Sequence, residues 1–370
     1  MPNRRILFLV PLFAVVFIGA FFLFNARRSR PTSGPVEAAA TAPVHSPVRP
    51  PTKSRITAAR PVAPDSPPAG ASPFWQRFLA ADTNLAKIDP ASLARYLQAN
   101  GTNAESLLAA FQTTHDTALL KMAATNFPGD PAIQMTIAAM KIFPGQERVW
   151  LDRLKESDPE NSLANFLSAA ELLKSKHPEA AFKELNDAAA KTKFDDYSAQ
   201  KVQGLEEIYM ADGRPPAEAK ALAAMQLILP HMIQMRELSR EMADLQKQYI
   251  ARGDSVSAEG MSAVGMNLGQ RLISGDGART VIGQLVGISI ERNILANLPE
   301  QNYSFLQDQT PKQKIADLLS QKNVLQQDAK LFNSFIQSAS EADLVNYFDR
   351  MKLSGEHNAF EWIRNRVPTQ

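Results

Sequence analysis

An all-α fold is what this sequence predicts, and three observations carry the prediction. Asp89-Pro90, Asp130-Pro131 and Asp158-Pro159 each put a capping side chain before a proline, which suits the first helical position, where the missing amide costs nothing. Apolar residues recur three and four apart, most clearly from Met225 to Tyr249. No run of alternating β-branched residues lies between such segments. These features predict roughly a dozen helices on short connections, stacked as an α-solenoid or as a helical bundle, behind one N-terminal transmembrane helix and a Pro-rich linker.

In chain order, residues 1–5 form a short flank. Residues 6–24 read ILFLVPLFAVVFIGAFFLF without a charge, close to the roughly 20 residues that cross a hydrocarbon core. A retained single-pass anchor is predicted. The competing reading is a cleaved signal peptide, which takes a shorter apolar core, on the order of 7 to 15 residues, and small residues at the cut. Against it, Phe24 would stand three residues before a cut at Ala26, and Ala38-Ala39-Ala40 lies far beyond the apolar end. Arg4 and Arg5 precede the span while Arg27, Arg28 and Arg30 follow it, so the positive-inside rule nearly balances. The short flank and the stalk beyond favour an N-in orientation, with the helical domain outside the cytoplasm and periplasmic in a bacterium.

Residues 25–72 are the linker. Eleven prolines fall between Pro31 and Pro73, separated mostly by Ala, Ser, Thr and Val. Proline fixes φ and removes a donor, so this segment is expected to be an extended spacer. Residues 1–72 hold nine basic residues against two acidic ones, a net of +7, which leaves −5 on the rest of a chain whose formal charge is +2. Two readings of the basic stalk stand level: adhesion to anionic headgroups, worth about 1 kcal/mol per basic residue, and a merely soluble linker. A folded part at −5 argues against nucleic acid as a partner.

Composition narrows the chemistry. With no cysteine and five histidines in 370 residues, disulfides, thiolate catalysis, Cys-ligated zinc and iron–sulfur clusters are excluded.

Residues 73–211 form the first helical region. Asp158 to Lys193 reads DPENSLANFLSAAELLKSKHPEAAFKELNDAAAKTK, which resembles a tetratricopeptide (TPR) repeat. DPEN sets the register as the inter-repeat turn; Ala169 then matches the family's small position, Leu172 the large apolar position of helix A, and Ala181, Leu185 and Ala188 the helix B positions that pack between repeats. Asn165 and Ser168 depart from the pattern, which has large apolar residues there, and Thr192-Lys193 stands where the next Asp-Pro is expected. The 28-residue step from Asp130 to Asp158 is shorter than the family's period of about 34, so repeats upstream are degenerate. The resemblance implies stacked helix hairpins with a concave surface lined by helix A. It makes Asn165, Ser168 and Glu171 the candidate contacts for a protein or peptide partner.

Residues 212–370 form the second helical region. Pro230 is expected to kink or divide the long helix of the Met225 to Tyr249 stripe, whose methionines fit core packing or an adaptable groove. From Ser255 to Leu298 a helical pair carries Gly265 and Gly269 on one member and Gly283 and Gly287 on the other. Four glycines inside helices imply close crossing or a cavity. Val281 to Leu298 is apolar enough to raise a second span, but Arg279, Gln284, Glu291 and Arg292 interrupt it or flank it. A helix follows Thr310-Pro311, and Ser340 with Asp343 resembles a capping box. Phe332, Phe335, Tyr347, Phe348, Phe360 and Trp362 suit a closing core layer or an exposed partner patch.

Candidate chemistry does not assemble from spacing. Glu237, Glu241 and His231 match no helical metal motif. Ser274-Gly275-Asp276-Gly277 offers amides for a phosphate, without the Lys-Ser/Thr of a P-loop. His115, His177 and His357 have no partner at triad spacing. No catalytic residue, metal or cofactor is predicted. The expected function is a membrane-anchored scaffold that binds a protein or peptide, with membrane contact through the anchor and the basic linker. The alternative is an enzyme or small-molecule binder with a pocket near residues 255–298.

Overall fold

The structure is a computed structural model that describes residues 73–79 and 82–366. The predicted anchor at 6–24 and the linker at 25–72 lie outside the described residues. Regular structure among the described residues is helical throughout, with isolated bridges at Asn161–Lys193 and Tyr303–Gln309. All-α is therefore the fold class.

The first helices are α1 (Pro73–Leu79), α2 (Pro90–Ala99), α3 (Ala104–Thr114), α4 (Thr117–Asn126), α5 (Pro131–Met140), α6 (Glu147–Ser157), α7 (Leu163–Lys174) and α8 (Pro178–Ala190). From α2 to α8 each packs against the next. Asp89 and Asp130 cap α2 and α5 as expected, accepting from the Ser92 and Ile133 amides at 3.0 Å. Asp158-Pro159 departs from the prediction. Asp158 closes α6 instead of opening a helix, and α7 begins at Leu163. The physical reason is that its carboxylate is taken by partners across the hairpin, described below.

The second set is α9 (Ser198–Ala211), α10 (Pro216–Gln226), α11 (His231–Ala251), α12 (Ser255–Ile273), α13 (Val281–Leu295), α14 (Pro311–Ser338), α15 (Glu341–Ser354) and α16 (Glu356–Arg364). Pro230 divides the long apolar stripe, α10 ending at Gln226 and α11 starting at His231. Met225, Met232, Met235, Leu238 and Met242 are all buried, so the stripe is core and presents no open methionine groove.

A solenoid confines contacts to neighbouring repeats. Here α9 turns back onto α2 and α3, α10 packs on α15, and α11 lies across α7. One hydrophobic core runs from Phe74 to Ile363 across the 211/212 boundary. Phe332, Phe335, Tyr347, Phe348 and Phe360 form a buried aromatic layer between α14, α15 and α16, with Trp362 at its edge. No helix among the described residues is long and apolar enough to cross a membrane. The second span considered at 281–298 is instead α13, packed among α11, α12 and α14.

Candidate functional site

The densest polar cluster lies where the chain leaves α8. In place of another Asp-Pro helix start, residues 192–197 run back along the turn at 158–162. Ser162 donates its amide and its hydroxyl to the Lys193 carbonyl at 2.9 and 2.8 Å. Asn161, fully buried, receives the Asp195 amide at 3.1 Å and donates to the Asp195 carbonyl at 2.8 Å. Asp158 Oδ2 accepts from Lys193 Nζ and the Tyr197 hydroxyl at 2.7 Å each and from Asn161 at 3.1 Å. Burial opposes ionisation of Asp158, but these three donors outweigh it and hold the carboxyl below its usual range.

Behind this clamp, Asp196 meets the first residue of α11. His231 Nε2 lies 3.3 Å from Asp196 Oδ2, and both residues are buried. Neither ring nitrogen of His231 makes an aligned hydrogen bond. Lys201 Nζ donates to the Asp196 carbonyl at 3.0 Å, and the Ser198 amide to Asp196 Oδ1 at 3.0 Å. Burial disfavours the Asp196 charge, yet His231, Lys201 and Ser198 hold its carboxyl far below the ordinary value. Burial pushes the Lys201 ammonium down to about 8, against the pull of Asp196 and Asp195. The composition is that of an acid–base centre, but all three side chains are sealed from solvent, so the cluster acts here as a tie between the start of α9 and α11.

A second buried node joins α9, α10 and α15. Glu206, 1% exposed, accepts from Lys220 at 2.9 Å and from Lys352 at 2.6 Å, while Lys220 also pairs with Asp349. Burial works against the Lys220 charge, and Asp349 and Glu206 reverse that and raise it.

On the outer side of α9 an open cleft of about 380 Å³ separates it from α2, lined by Arg95, Tyr96, Ala99, Asn100, Glu207 and Met210, with Ala211 at one end. Tyr96 is its buried floor and Met210, 41% exposed, its apolar rim. Burial raises the Tyr96 phenol above its usual range, with Glu207 and Glu105 adding to the effect. Broadly open to solvent, this cleft is accessible in a way the buried clusters are not.

The residues singled out from sequence fall as follows. Leu163 through Ala169 are all buried, because α6, α8 and α11 surround α7. Asn165 is turned inward, donating to Glu184 at 2.7 Å and accepting from Lys191 at 2.6 Å, and Ser168 is wholly enclosed. Neither faces an open concave surface. Glu171 is half-buried, with Oε2 sealed off and unpartnered. Glu237 and Glu241 are exposed while His231 is in the core, and no group of His, Asp or Glu suited to a metal occurs among the described residues. The amides of Gly275, Gly277 and Ala278 are spent within their own turn, and the Val281 amide that opens α13 donates to the Glu356 carboxylate. A phosphate cradle is therefore closed off. His115, His177 and His357 are exposed on helix ends.

The four glycines serve contact. A methyl at Gly265 would stand 2.6 Å from Ile294 Cγ1, and one at Gly287 2.7 Å from the Gly269 carbonyl; at Gly269 it would overlap Glu291, and at Gly283 it would crowd the Gly277 carbonyl at 3.2 Å. With the crossing filled, the reason for placing a ligand pocket at 255–298 is gone. The Asp196–His231 tie was missed from sequence, although His231 shares the helical face of Met235, Leu238 and Met242, a spacing that points a polar residue into the core.

No protein-family profile, curated protein or solved structure matches this chain.

Proposed function

We propose that the chain is a single-pass, membrane-anchored scaffold whose TPR-like helical domain binds a protein or peptide outside the cytoplasm. The observation that carries this reading is the α2–α9 cleft, which combines an aromatic floor, an exposed methionine and opposite charges at Arg95 and Glu207. That mix suits an extended segment with one apolar anchor flanked by polar groups. The TPR-like part of the reading is supported by the α7–α8 hairpin, in which Ala169, Ala181, Leu185 and Ala188 are all fully buried. Because Asn165 and Ser168 are enclosed, the contact surface moves from helix A of that hairpin to the cleft. The anchor and stalk rest on the sequence of residues 6–24 and 25–72.

The test is in-cell crosslinking of the full-length chain, with affinity capture and mass spectrometry, beside a Met210→Asp, Arg95→Glu variant. A reproducible partner lost from the variant, with the circular dichroism of the fold unchanged, supports the reading. A capture profile identical for both proteins refutes the cleft as its site.

A further inference from the structure

The α2–α9 cleft carries a polar group that the fold itself leaves unused. Tyr96 lines the cleft and is 4% exposed, and no group among the described residues hydrogen-bonds its hydroxyl. Buried polar groups are normally paired, so this one marks a place for an atom from outside the fold. The charges that act on the hydroxyl are Glu207 and Glu105. Each spends one oxygen on a glutamine, Glu207 on Gln203 at 2.7 Å and Glu105 on Gln200 at 3.1 Å, and neither enters an ion pair among the described residues. Arg95, the cation of the cleft, donates instead to Ser92 Oγ at 2.9 Å, one turn towards the start of α2. Met210 adds an apolar rim. This combination recognises a cationic side chain on an apolar stem: the stem covers the methionine, and the head meets carboxylate and phenol.

The chain supplies such a segment beside the cleft. The first described helix, α1, packs on the 3-10 turn Thr83–Ala86. That turn and the residues after it are tied to the end of α9. The Tyr209 hydroxyl donates to the Ala86 carbonyl at 3.1 Å, Arg214 to the Leu85 carbonyl at 3.4 Å, and Asp212 accepts the Asp89 amide at 3.2 Å. Tyr209 is the neighbour of Met210, so the stalk joins the fold at one end of the cleft. Between Glu37 and Asp65 the stalk carries Arg49, Lys53, Arg55 and Arg60 and no acidic residue, against the net of −5 on residues 73–370. Residues 49–55, RPPTKSR, are the densest part of this run. The 18 steps from Arg55 to Pro73 reach up to about 60 Å, more than the roughly 50 Å width of a compact fold of this length. Prolines lower the ordering cost of docking, and the tether holds the segment at an effective concentration on the order of 1 mM.

We propose that the α2–α9 cleft holds the chain's own stalk at residues 49–55, with one basic side chain set against Tyr96, Glu207 and Glu105. This rests on the reading of the cleft as a peptide site, and it makes the stalk the competitor that an outside partner displaces.

Zero-length carbodiimide crosslinking of the full-length chain, read by mass spectrometry, tests this, because Lys53 is the one lysine in residues 1–72. A mixture of nitrogen-14 and nitrogen-15 protein separates links within one chain from links between chains. Within one chain, Lys53 is expected to join Glu207 or Glu105 several-fold more often than the exposed Glu237 and Glu241 of α11. Arg49→Gln combined with Arg55→Gln leaves the reporter lysine and the helical fold in place and should cut that yield several-fold. Tyr96→Phe deletes only the unpartnered hydroxyl and should lower it as well. Absence of the link, links from Lys53 spread evenly over exposed carboxylates, or a yield unchanged in either variant would overturn the proposal. The outside-partner reading fails separately. A partner captured through the cleft without a Lys53 link keeps that reading and ends this one, whereas a Lys53 link in a chain that captures no partner does the reverse.

Discussion

Gly287→Ala tests whether the α12–α13 crossing is truly closed. The added methyl would sit 2.7 Å from the Gly269 carbonyl oxygen, 2.8 Å from Ile273 Cγ1 and 3.0 Å from Leu272 Cβ. The nearest atom is backbone, so no rotamer change relieves the clash. The helices must part by about 0.7 Å to restore ordinary contact at 3.4 Å. Parting them also loosens Ile294 on Gly265 and Glu291 on Gly269, which lie along the same seam. Overpacking costs about 1–3 kcal/mol, and the gain in helix propensity from Gly to Ala returns about 1 kcal/mol. With three contact pairs disturbed together, a net loss of about 2 kcal/mol is expected. Gly260→Ala is the internal control: its methyl would find only Phe182 Cζ at 3.8 Å, so the same propensity gain should stabilise the fold by up to about 1 kcal/mol. Urea denaturation followed by helical circular dichroism measures both. A Gly287→Ala protein as stable as Gly260→Ala would mean that the helices are not in contact, and the argument from glycine packing would fail.

Two further predictions concern buried charge. Glu206→Gln strips the countercharge from Lys220 and Lys352, leaving them with the partly exposed Asp349; a loss of about 3 kcal/mol is expected, with part of it restored in the Glu206→Gln, Lys352→Met double variant, and a single variant within about 0.5 kcal/mol of the wild type would refute the node. Burial also pushes Glu356 up to about 7, against the pull of the Val281 amide, from an ordinary value of 4.5. Below about 4.5 both folded and unfolded chains hold that proton, so it has no effect; from there to about 7 only the unfolded chain ionises, and stability falls by about 1.4 kcal/mol per pH unit. Asp196, held well below its ordinary value, acts with the opposite sign: its contribution is present above about pH 4 and is lost on acidification. Denaturation midpoints are therefore expected to peak near pH 5, and Glu356→Gln should roughly halve the decline above that point, because burial raises Glu291 to about 7 as well. A decline unchanged in the variant would remove Glu356 from the account.

The helices were legible because their signals are local. Asp89-Pro90 and Asp130-Pro131 cap through atoms three residues away, and Pro230 divides a helix through its own ring. The α12–α13 glycines were legible as close packing because four at helical spacing have few other uses. Asp158-Pro159 shows where such reading stops. Its sequence is as good a helix start as the other two, but Lys193 and Tyr197, some 35 to 39 residues on, compete for the same carboxylate. The same limit applies to Asn165 and Ser168. Both stand on α7, yet their exposure depends on α11, which begins about 65 residues later and packs on α7. No local pattern encodes that distance.

The buried ionisable groups explain how a chain of consecutive helices closes into one core. Apolar faces rich in alanine and leucine slide against one another at little cost, because many registers bury similar area. Each buried polar tie joins elements that are far apart in sequence and tolerates one register. Asp196 fixes the start of α9 to α11, Glu206 fixes α9 to α10 and α15, Asp328 holds Arg364 through two bonds at 2.9 and 3.1 Å between α14 and α16, and Glu356 receives the first amide of α13. Such pairs add little net stability over apolar substitutes of equal volume, since desolvation cancels most of the attraction. Their value lies in the misregistered alternatives they exclude, each of which would strand a charge in the core. Among the described residues, the buried Glu291 has no such partner at bonding distance, and so it fixes no register.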